Sequence, residues 1–368
     1  MKQDNRLELL IPVEEIDGGA MRQILNFLDY SFVRKLAVMP DVHQGYHLPI
    51  GGVVLLDKGI ISPSAVGYDI GCGMCCILTD IPAQEIKPTA EKIFREITSK
   101  IPSGFDAHKH PEEYEKFRSA SSDRELEKQV NEKLFHQLGT LGSGNHFIEI
   151  GEDRYGMLAV TLHSGSRNPG HSVGGYYMRL SKTEDKSLPE GFLDLTRDTG
   201  RAYLADMRFM LKYALANRLA MLETVKKILG IGKKNVKLFI NENHNHAEVH
   251  RDGVLHRKGA TPADKGRHGV IPANMRDGVF ITEGLGNERF LSSASHGAGR
   301  RLGRKEAAKC LSLDRFISEM KGITAFTDKA RLEEAPQAYK DINRVMELQE
   351  GVVIRTLNKA KPFINVKG

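Results

Sequence analysis

The chain has 368 residues, 40% of them hydrophobic and 7% aromatic with no tryptophan, and a formal charge of +6. That length carries one large domain or two average ones, with a core resting on Leu, Ile, Val and Phe. It excludes a disulfide-stapled miniprotein, because four cysteines, two of them adjacent (Cys75 and Cys76), make no framework in a chain this size. No run approaches the roughly 18 apolar residues of a membrane span. The opening Met1-Lys2-Gln3-Asp4-Asn5-Arg6 leads into a short apolar stretch followed by acids, unlike a signal peptide. The expectation is a cytoplasmic protein that is not embedded in a membrane. Its basic balance is compatible with a polyanionic partner but does not establish one.

In chain order, residues 49–79 alternate short apolar runs (Val53-Val54-Leu55-Leu56, Gly59-Ile60-Ile61) with turn signals and predict strands. Residues 87–138 are charged and helical in pattern, broken at 108–111. Phe147-Ile148-Glu149-Ile150 and Met157-Leu158-Ala159-Val160-Thr161-Leu162 predict strands flanking a turn near Asp153. From about 193 to 229 there is no proline, and Leu204, Met207, Met210, Leu211 and Ala214 recur at helical spacing, which predicts one long helix or a pair. Val236-Lys237-Leu238-Phe239-Ile240 predicts a strand that delivers Asn243-His244. Further strands are expected at 270–271, 279–282 and 290–293, and a helix over 300–310. No repeat, low-complexity segment or linker interrupts the chain. Splitting it would divide the chemical patches, so a single α+β domain of mixed sheets and surrounding helices is expected over residues 1–368.

The residues that carry chemistry lie in glycine-rich patches. Asp69 and Cys72 stand three apart across Gly71 and can turn toward one ion, and a thiolate can bridge two; the bland alternative is a buried cysteine beside a capping aspartate. His146, His163 and His244 each sit at a predicted strand end beside Asn, Ser or Gly. A lone histidine is usually a satisfied polar group, but three in similar contexts beside Asp and Cys favour a metal site. Thiolate plus imidazole points to zinc, while the extra carboxylate admits Mn²⁺ or another octahedral ion. His296 differs. Gly297-Ala298-Gly299 removes bulk around it, and Arg300 and Arg304 follow at one-turn intervals on the expected helix, an arrangement suited to phosphate. Arg167 and Lys258 add cations, although arginines on a helix are ordinarily solvated. Cations around metals suit phosphoryl or nucleotidyl transfer.

These patches resemble the RNA-splicing ligase RtcB family across nearly the whole chain. The likeness rests on Met39-Pro40-Asp41-Val42-His43-Gln44-Gly45, Val66-Gly67-Tyr68-Asp69-Ile70-Gly71-Cys72-Gly73, Gly142-Ser143-Gly144-Asn145-His146 and His163-Ser164-Gly165-Ser166-Arg167. It continues through Arg257-Lys258-Gly259-Ala260-Thr261, Ser295-His296-Gly297-Ala298-Gly299-Arg300 and Val366-Lys367-Gly368. The resemblance implies the RtcB-like fold with a central dinuclear metal site. It implies GTP- and Mn²⁺-dependent joining of an RNA 3′-phosphate or 2′,3′-cyclic phosphate to a 5′-hydroxyl, in RNA repair or tRNA splicing. By that resemblance Asp69, Cys72 and His146 would hold one manganese and Cys72, His163 and His244 the other. His296 would be the nucleophile that carries GMP, with Asp41 orienting its ring. Asn145 would contact the α-phosphate, and Glu149, Tyr339 and Lys367 would line the guanosine pocket. Arg167, Lys258, Arg300 and Arg304 fall where the family places cations near phosphate or RNA. Whether an archease-like activator assists stays open.

The chain departs from the family at Ile271-Pro272-Ala273-Asn274-Met275-Arg276. There Asn274, a nucleotide-site residue by position, and Val279 replace serines, and Gly303 stands where serine is common. These departures fit a divergent bacterial RNA-repair paralogue. Two other classes compete with the ligase. A metal-dependent phosphoesterase would act on RNA ends without a covalent nucleotide. A non-catalytic RNA-binding protein is disfavoured because aromatic residues are not clustered in sequence as in single-strand readers.

Overall fold

Two antiparallel-rich sheets organise the molecule, and their strand ends carry the chemistry. The computed structural model describes residues 4–110, 123–183 and 187–368. The larger sheet runs in the order His268–Pro272, Val279–Gly284, Ile354–Lys367, Phe147–Asp153, Met157–Ser164, Gly73–Pro82 and Val236–Asn243, with the short Thr324–Ala325 strand parallel to Ile354–Lys367. The smaller sheet runs Leu7–Leu9, Val33–Tyr46, Leu48–Leu56, Gly253–Lys258 and Asn245–His250. Every neighbouring pair along these two orders is antiparallel except Leu7–Leu9 with Val33–Tyr46. This is the mixed α+β architecture that the pattern of the sequence predicts.

The expected hairpin forms as Phe147–Asp153 and Met157–Ser164. The Asp153 carboxylate accepts the backbone N–H groups of Tyr155 and Met157 and so closes the turn. The proline-free stretch forms one uninterrupted helix, Asp198–Leu229. Its buried line passes through Tyr203, Met207, Met210, Ala214, Arg218, Met221 and Val225 at helical spacing. Met221, Leu222 and Val225 pack with Ile148, Ile150, Val160 and Leu162 from the larger sheet. Burial of side chains of this size stabilises by about 1.5–3 kcal/mol each, which fixes the helix across the sheet. Helices Ala90–Lys100 and Arg124–Gln137 occupy the charged stretch, the second capped by the Asp123 carboxylate on the N–H of Leu126. The expected break at 108–111 extends to Pro111, which lies outside the described residues.

Two expected elements are corrected. Residues 290–293 are not a strand: Glu288–Phe290 is a single 3-10 turn, Leu291 and Ser292 have φ of 52° and 46°, and the strand is Ser293–Ser295. The Asn287 carboxamide accepts the N–H of Arg289 and so competes with ladder pairing. The helix over 300–310 begins only at Arg304, because Arg300 instead bridges to Tyr339 in strand fashion. Arg300 and Arg304 therefore do not lie one turn apart on a helix. No described helix is long and apolar enough to cross a membrane.

Candidate metal centre and nucleotide cavity

Register alone gathers the expected ligands. Phe147 pairs with His163, Gly73 pairs with both Ser164 and Asn243, and the three pairings lie at one end of the larger sheet. His146 precedes the first of these strands, His163 is the penultimate residue of the second, Cys72 precedes the third and His244 follows the fourth. Four side chains far apart in sequence thus meet at adjacent strand ends. Asp69 joins them through the turn in which the N–H of Cys72 bonds to the carbonyl of Asp69.

The ligand atoms form two groups that share Cys72. One is Asp69, Cys72 and His146; the other is Cys72, His163 and His244; within each, the atoms lie within 4.8 Å of one another. The Nδ1–H of His146 donates to the Leu141 carbonyl and that of His163 to the Asn145 carbonyl, both at 3.0 Å. Carbonyl oxygens only accept, so both neutral rings present bare Nε2 lone pairs to the centre. Those nitrogens face further electron-rich atoms. His163 Nε2 stands 3.3 Å from His244 Nε2 and 3.2 Å from Cys72 Sγ, and His146 Nε2 stands 3.1 Å from an Asp69 carboxylate oxygen. Lone pairs this close repel unless protons or cations lie among them. Burial holds the pKa of His163 and of His244 well below the usual histidine range and so disfavours protons as the answer. This donor set fits bound cations.

Burial pushes the Cys72 thiol well up, with the neighbouring Asp69 charge adding to it. Burial also opposes the Asp69 carboxylate, but His146, Cys72 and Arg167 more than offset that and hold its pKa below the ordinary value. A cation against the sulfur reverses the thiol's preference, since coordination removes the proton.

Behind the cluster, the fully buried Arg218 ties the ligand-bearing segments together. It donates to the Gly71 and Ser164 carbonyls and to the side-chain oxygens of Asn241 and Asn243, at 2.7–2.9 Å. Gly71 itself has φ +73°, and a Cβ there would stand 2.8 Å from that of Ala214. Only glycine lets the Asp69–Cys72 turn sit this close to the long helix.

His296 follows the Ser293–Ser295 strand and reaches back to Asp41 in Val33–Tyr46. Asp41 is fully buried, and one carboxylate oxygen accepts both the backbone N–H of His296 (3.1 Å) and its Nδ1–H (2.7 Å). The ring is thereby held with Nε2 unprotonated when neutral. Its centroid lies 4.8 Å from that of His244, so it borders the cluster.

His296 also lines a cavity of about 780 Å³ together with Asn145, Glu149, Asn274, Arg300, Arg304, Tyr339 and Lys367. The expected nucleotide residues are therefore gathered in one hollow, but most are already engaged with each other. Glu334 is their hub. Its carboxylate receives Arg300 and Lys367 at 2.9 Å and the Tyr339 hydroxyl, with Arg304 at 3.8 Å. Burial would raise its pKa, but Lys367, Arg304 and Arg300 outweigh that and hold it at about 2. Glu149 is the opposite case: burial pushes it up to about 8 despite Asn365 and Lys367. One of its oxygens accepts from Asn365 at 3.2 Å and the other is buried with no partner among the described residues.

Three expected residues have other partners here. Asn274 lines the cavity, yet its amide donates to Asp277 at 2.7 Å while its oxygen caps the N–H groups of Arg276 and Asp277. Lys258 donates to the Tyr46 and Ser64 carbonyls and does not line the cavity; burial lowers it to about 7. Arg167 is directed to Thr140 and the Gly104 carbonyl, and burial lowers its pKa. The departure at Val279 faces the apolar layer with Phe147 and Val270 rather than the cavity.

Several residues around the site escaped the reading of the sequence. Arg218 carried a signal, since a charge inside the apolar line of a helix demands buried partners. Asn365 stands two residues before Lys367 on one strand and shares its face. Glu334 carried none, whereas His43, which lines the cavity, stands inside the motif at 39–45 without being singled out there; it is lowered to about 4 by burial and is neutral near pH 7.

Fold and side chains together define an α+β protein with a candidate dinuclear metal centre opening onto a cation-rimmed cavity. The model of the family described as tRNA-splicing ligase RtcB matches residues 23–123 and 105–368, and the chain belongs to that family. It is 33% identical to RNA-splicing ligase RtcB of Escherichia coli K12, over 97% of this chain and 95% of that protein. Similarity to tRNA-splicing ligase RtcB of Thermococcus kodakarensis is 29% over all of this chain and 92% of the relative. An RtcB homologue of Entamoeba histolytica is 30% identical over 95% of this chain and 84% of its own length.

Proposed function

We propose that this chain is an RNA ligase that joins a 3′-phosphate or 2′,3′-cyclic phosphate end to a 5′-hydroxyl end, using GTP and manganese. One observation carries the reading: a histidine locked by a buried carboxylate stands beside a shared-thiol donor cluster and faces a cavity lined by cationic side chains. Membership of a family whose relatives are named as RNA ligases supports it. Asp69, Cys72 and His146 would hold one Mn²⁺, and Cys72, His163 and His244 the other. When bound, the ions neutralise phosphate charge and favour the ionised form of an attacking hydroxyl.

The chain's own residues supply the rest. Asp41 keeps the His296 Nδ1–H in place, so the Nε2 lone pair is the nucleophile toward the α-phosphorus of GTP. A P–N bond forms, the bond to the bridging oxygen breaks, and pyrophosphate leaves. Water first opens a cyclic end to the 3′-phosphate; the RNA 3′-phosphate then takes the GMP group from His296, and the 5′-hydroxyl displaces GMP to give a 3′,5′-phosphodiester. Asn145 would contact the α-phosphate, and Arg300, Arg304 and Lys367 are cations that line the cavity. A reducing cytoplasmic setting belongs to the proposal, and four free cysteines suit it.

Incubation with α-labelled GTP and Mn²⁺ tests the reading. An acid-labile, alkali-stable adduct that disappears in His296→Ala is expected. Absence of an adduct from GTP, ATP and dGTP alike would leave metal-dependent hydrolysis of RNA ends as the activity.

A further inference from the structure

We infer that a groove beside the metal centre, formed by Tyr46, Tyr68, His171 and Arg179, is a stacking platform for the single-stranded RNA that leads into it. The inference rests on the ligase reading for its substrate but on separate residues for its site. Although these aromatic residues are scattered in sequence, the fold brings them together. Tyr68 stacks on His171 with centroids 4.8 Å apart and planes 19° apart, and Tyr46 lies 6.0 Å from Tyr68. Tyr46 and Tyr68 are 47% and 39% exposed, so their ring faces are open to a ligand, and unlike a lone exposed ring they adjoin one another. Together with Met178 and Lys182 they line a hollow of about 1020 Å³.

The assembly is built rather than incidental. His171, Gly175 and Arg179 follow one another at i, i+4 and i+8 along the Arg167–Thr183 helix and so form a single stripe. Gly174 lets the Gly67-Tyr68 backbone lie directly on that helix, since a Cβ there would stand 3.0 Å from the Gly67 carbonyl oxygen. The next residue after Tyr68 is Asp69, so the platform and the donor cluster are one residue apart along the chain.

Charge favours a nucleic-acid strand. Lys182 is paired with Glu190 at 2.6 Å, whereas exposed Arg179 has no carboxylate within ion-pair distance among the described residues. Flat ring faces beside an unpaired guanidinium match bases and phosphates of an unpaired strand; a duplex would offer neither free base faces nor the same fit.

The test is equilibrium binding of a short labelled oligouridine to the full chain. Tyr46→Ala/His171→Ala should weaken binding about tenfold or more, while Tyr46→Phe/His171→Phe, which keeps the ring faces, should retain it. Arg179→Gln should reduce the dependence of log affinity on log salt by about 0.7. Tyr155→Ala removes an exposed ring at the opposite end of the sheet and should change nothing. Wild-type affinity in the double alanine variant, or an equal loss in Tyr155→Ala or in the phenylalanine pair, overturns the platform. Guanylylation of the wild type is measured in parallel. Its failure beside ring-dependent RNA binding would sink the ligase reading and leave the groove standing.

Discussion

The donor cluster and the cavity wall a few residues away solve the burial of polar groups in opposite ways. At the strand ends, Nε2 atoms, a sulfur and a carboxylate oxygen converge on one another. In the wall, Glu334 already collects two cations and a hydroxyl, so its carboxylate is fully engaged while the group keeps a net positive charge. The first arrangement favours added positive charge. The second is complete without a ligand, and a nucleotide must add to it or compete with it. Removing a residue from the cluster should therefore abolish ligand binding, whereas removing one from the wall should first cost stability.

The sharpest break is Cys72→Ala. Because both donor groups share this sulfur, both manganese ions should be lost, with ligation falling about a thousandfold or more. Metal analysis after gel filtration checks this, and retention of both ions would show that the thiol bridges nothing. Asp41→Asn comes next. An amide can donate to His296 Nδ1 and leave the proton on Nε2, so guanylylation should slow by about 10²–10⁴-fold with little change in fold. Single-turnover labelling with GTP measures it.

The wall should respond differently. Glu334→Gln leaves buried Arg300 and Lys367 short of their anion and should cost about 3 kcal/mol in denaturant unfolding. The sign follows from its depressed pKa. Glu334 contributes its stability above about pH 4.5, its ordinary value, and loses it as pH falls toward about 2. Acid unfolding should thus be shallower in the variant. Glu149 runs the other way: with its pKa raised to about 8, its contribution is complete below about pH 4.5 and fades as pH rises toward 8. Glu149→Gln should flatten that decline by up to about 5 kcal/mol, read from melting curves across the window.

Legibility in the sequence followed the same divide. Hairpin periodicity at Phe147–Asp153 and Met157–Ser164 and the apolar stripe of the long helix were plain, and the cluster followed because its residues stand at strand ends. The wall was not legible in this way, since Glu334 reaches Lys367 and Arg300 only through tertiary packing of a 3-10 turn. The four-residue spacing of Arg300 and Arg304 suits a helix through both, yet pairing of Arg300 with Tyr339 prevails. The aromatic groove was hidden for a related reason: Tyr46, Tyr68 and His171 come from a strand end, a turn and a helix.

The one-to-one facing of Phe147 with His163 has a consequence for tolerance to insertions and deletions. Adding residues at the tip, 154–156, lengthens a turn remote from the ligands and leaves every donor in place. A single residue gained or lost inside either strand would flip His146 or His163 to the opposite face of the sheet. The chemistry of this chain is therefore written in the parity of its strand lengths as firmly as in the identity of its side chains.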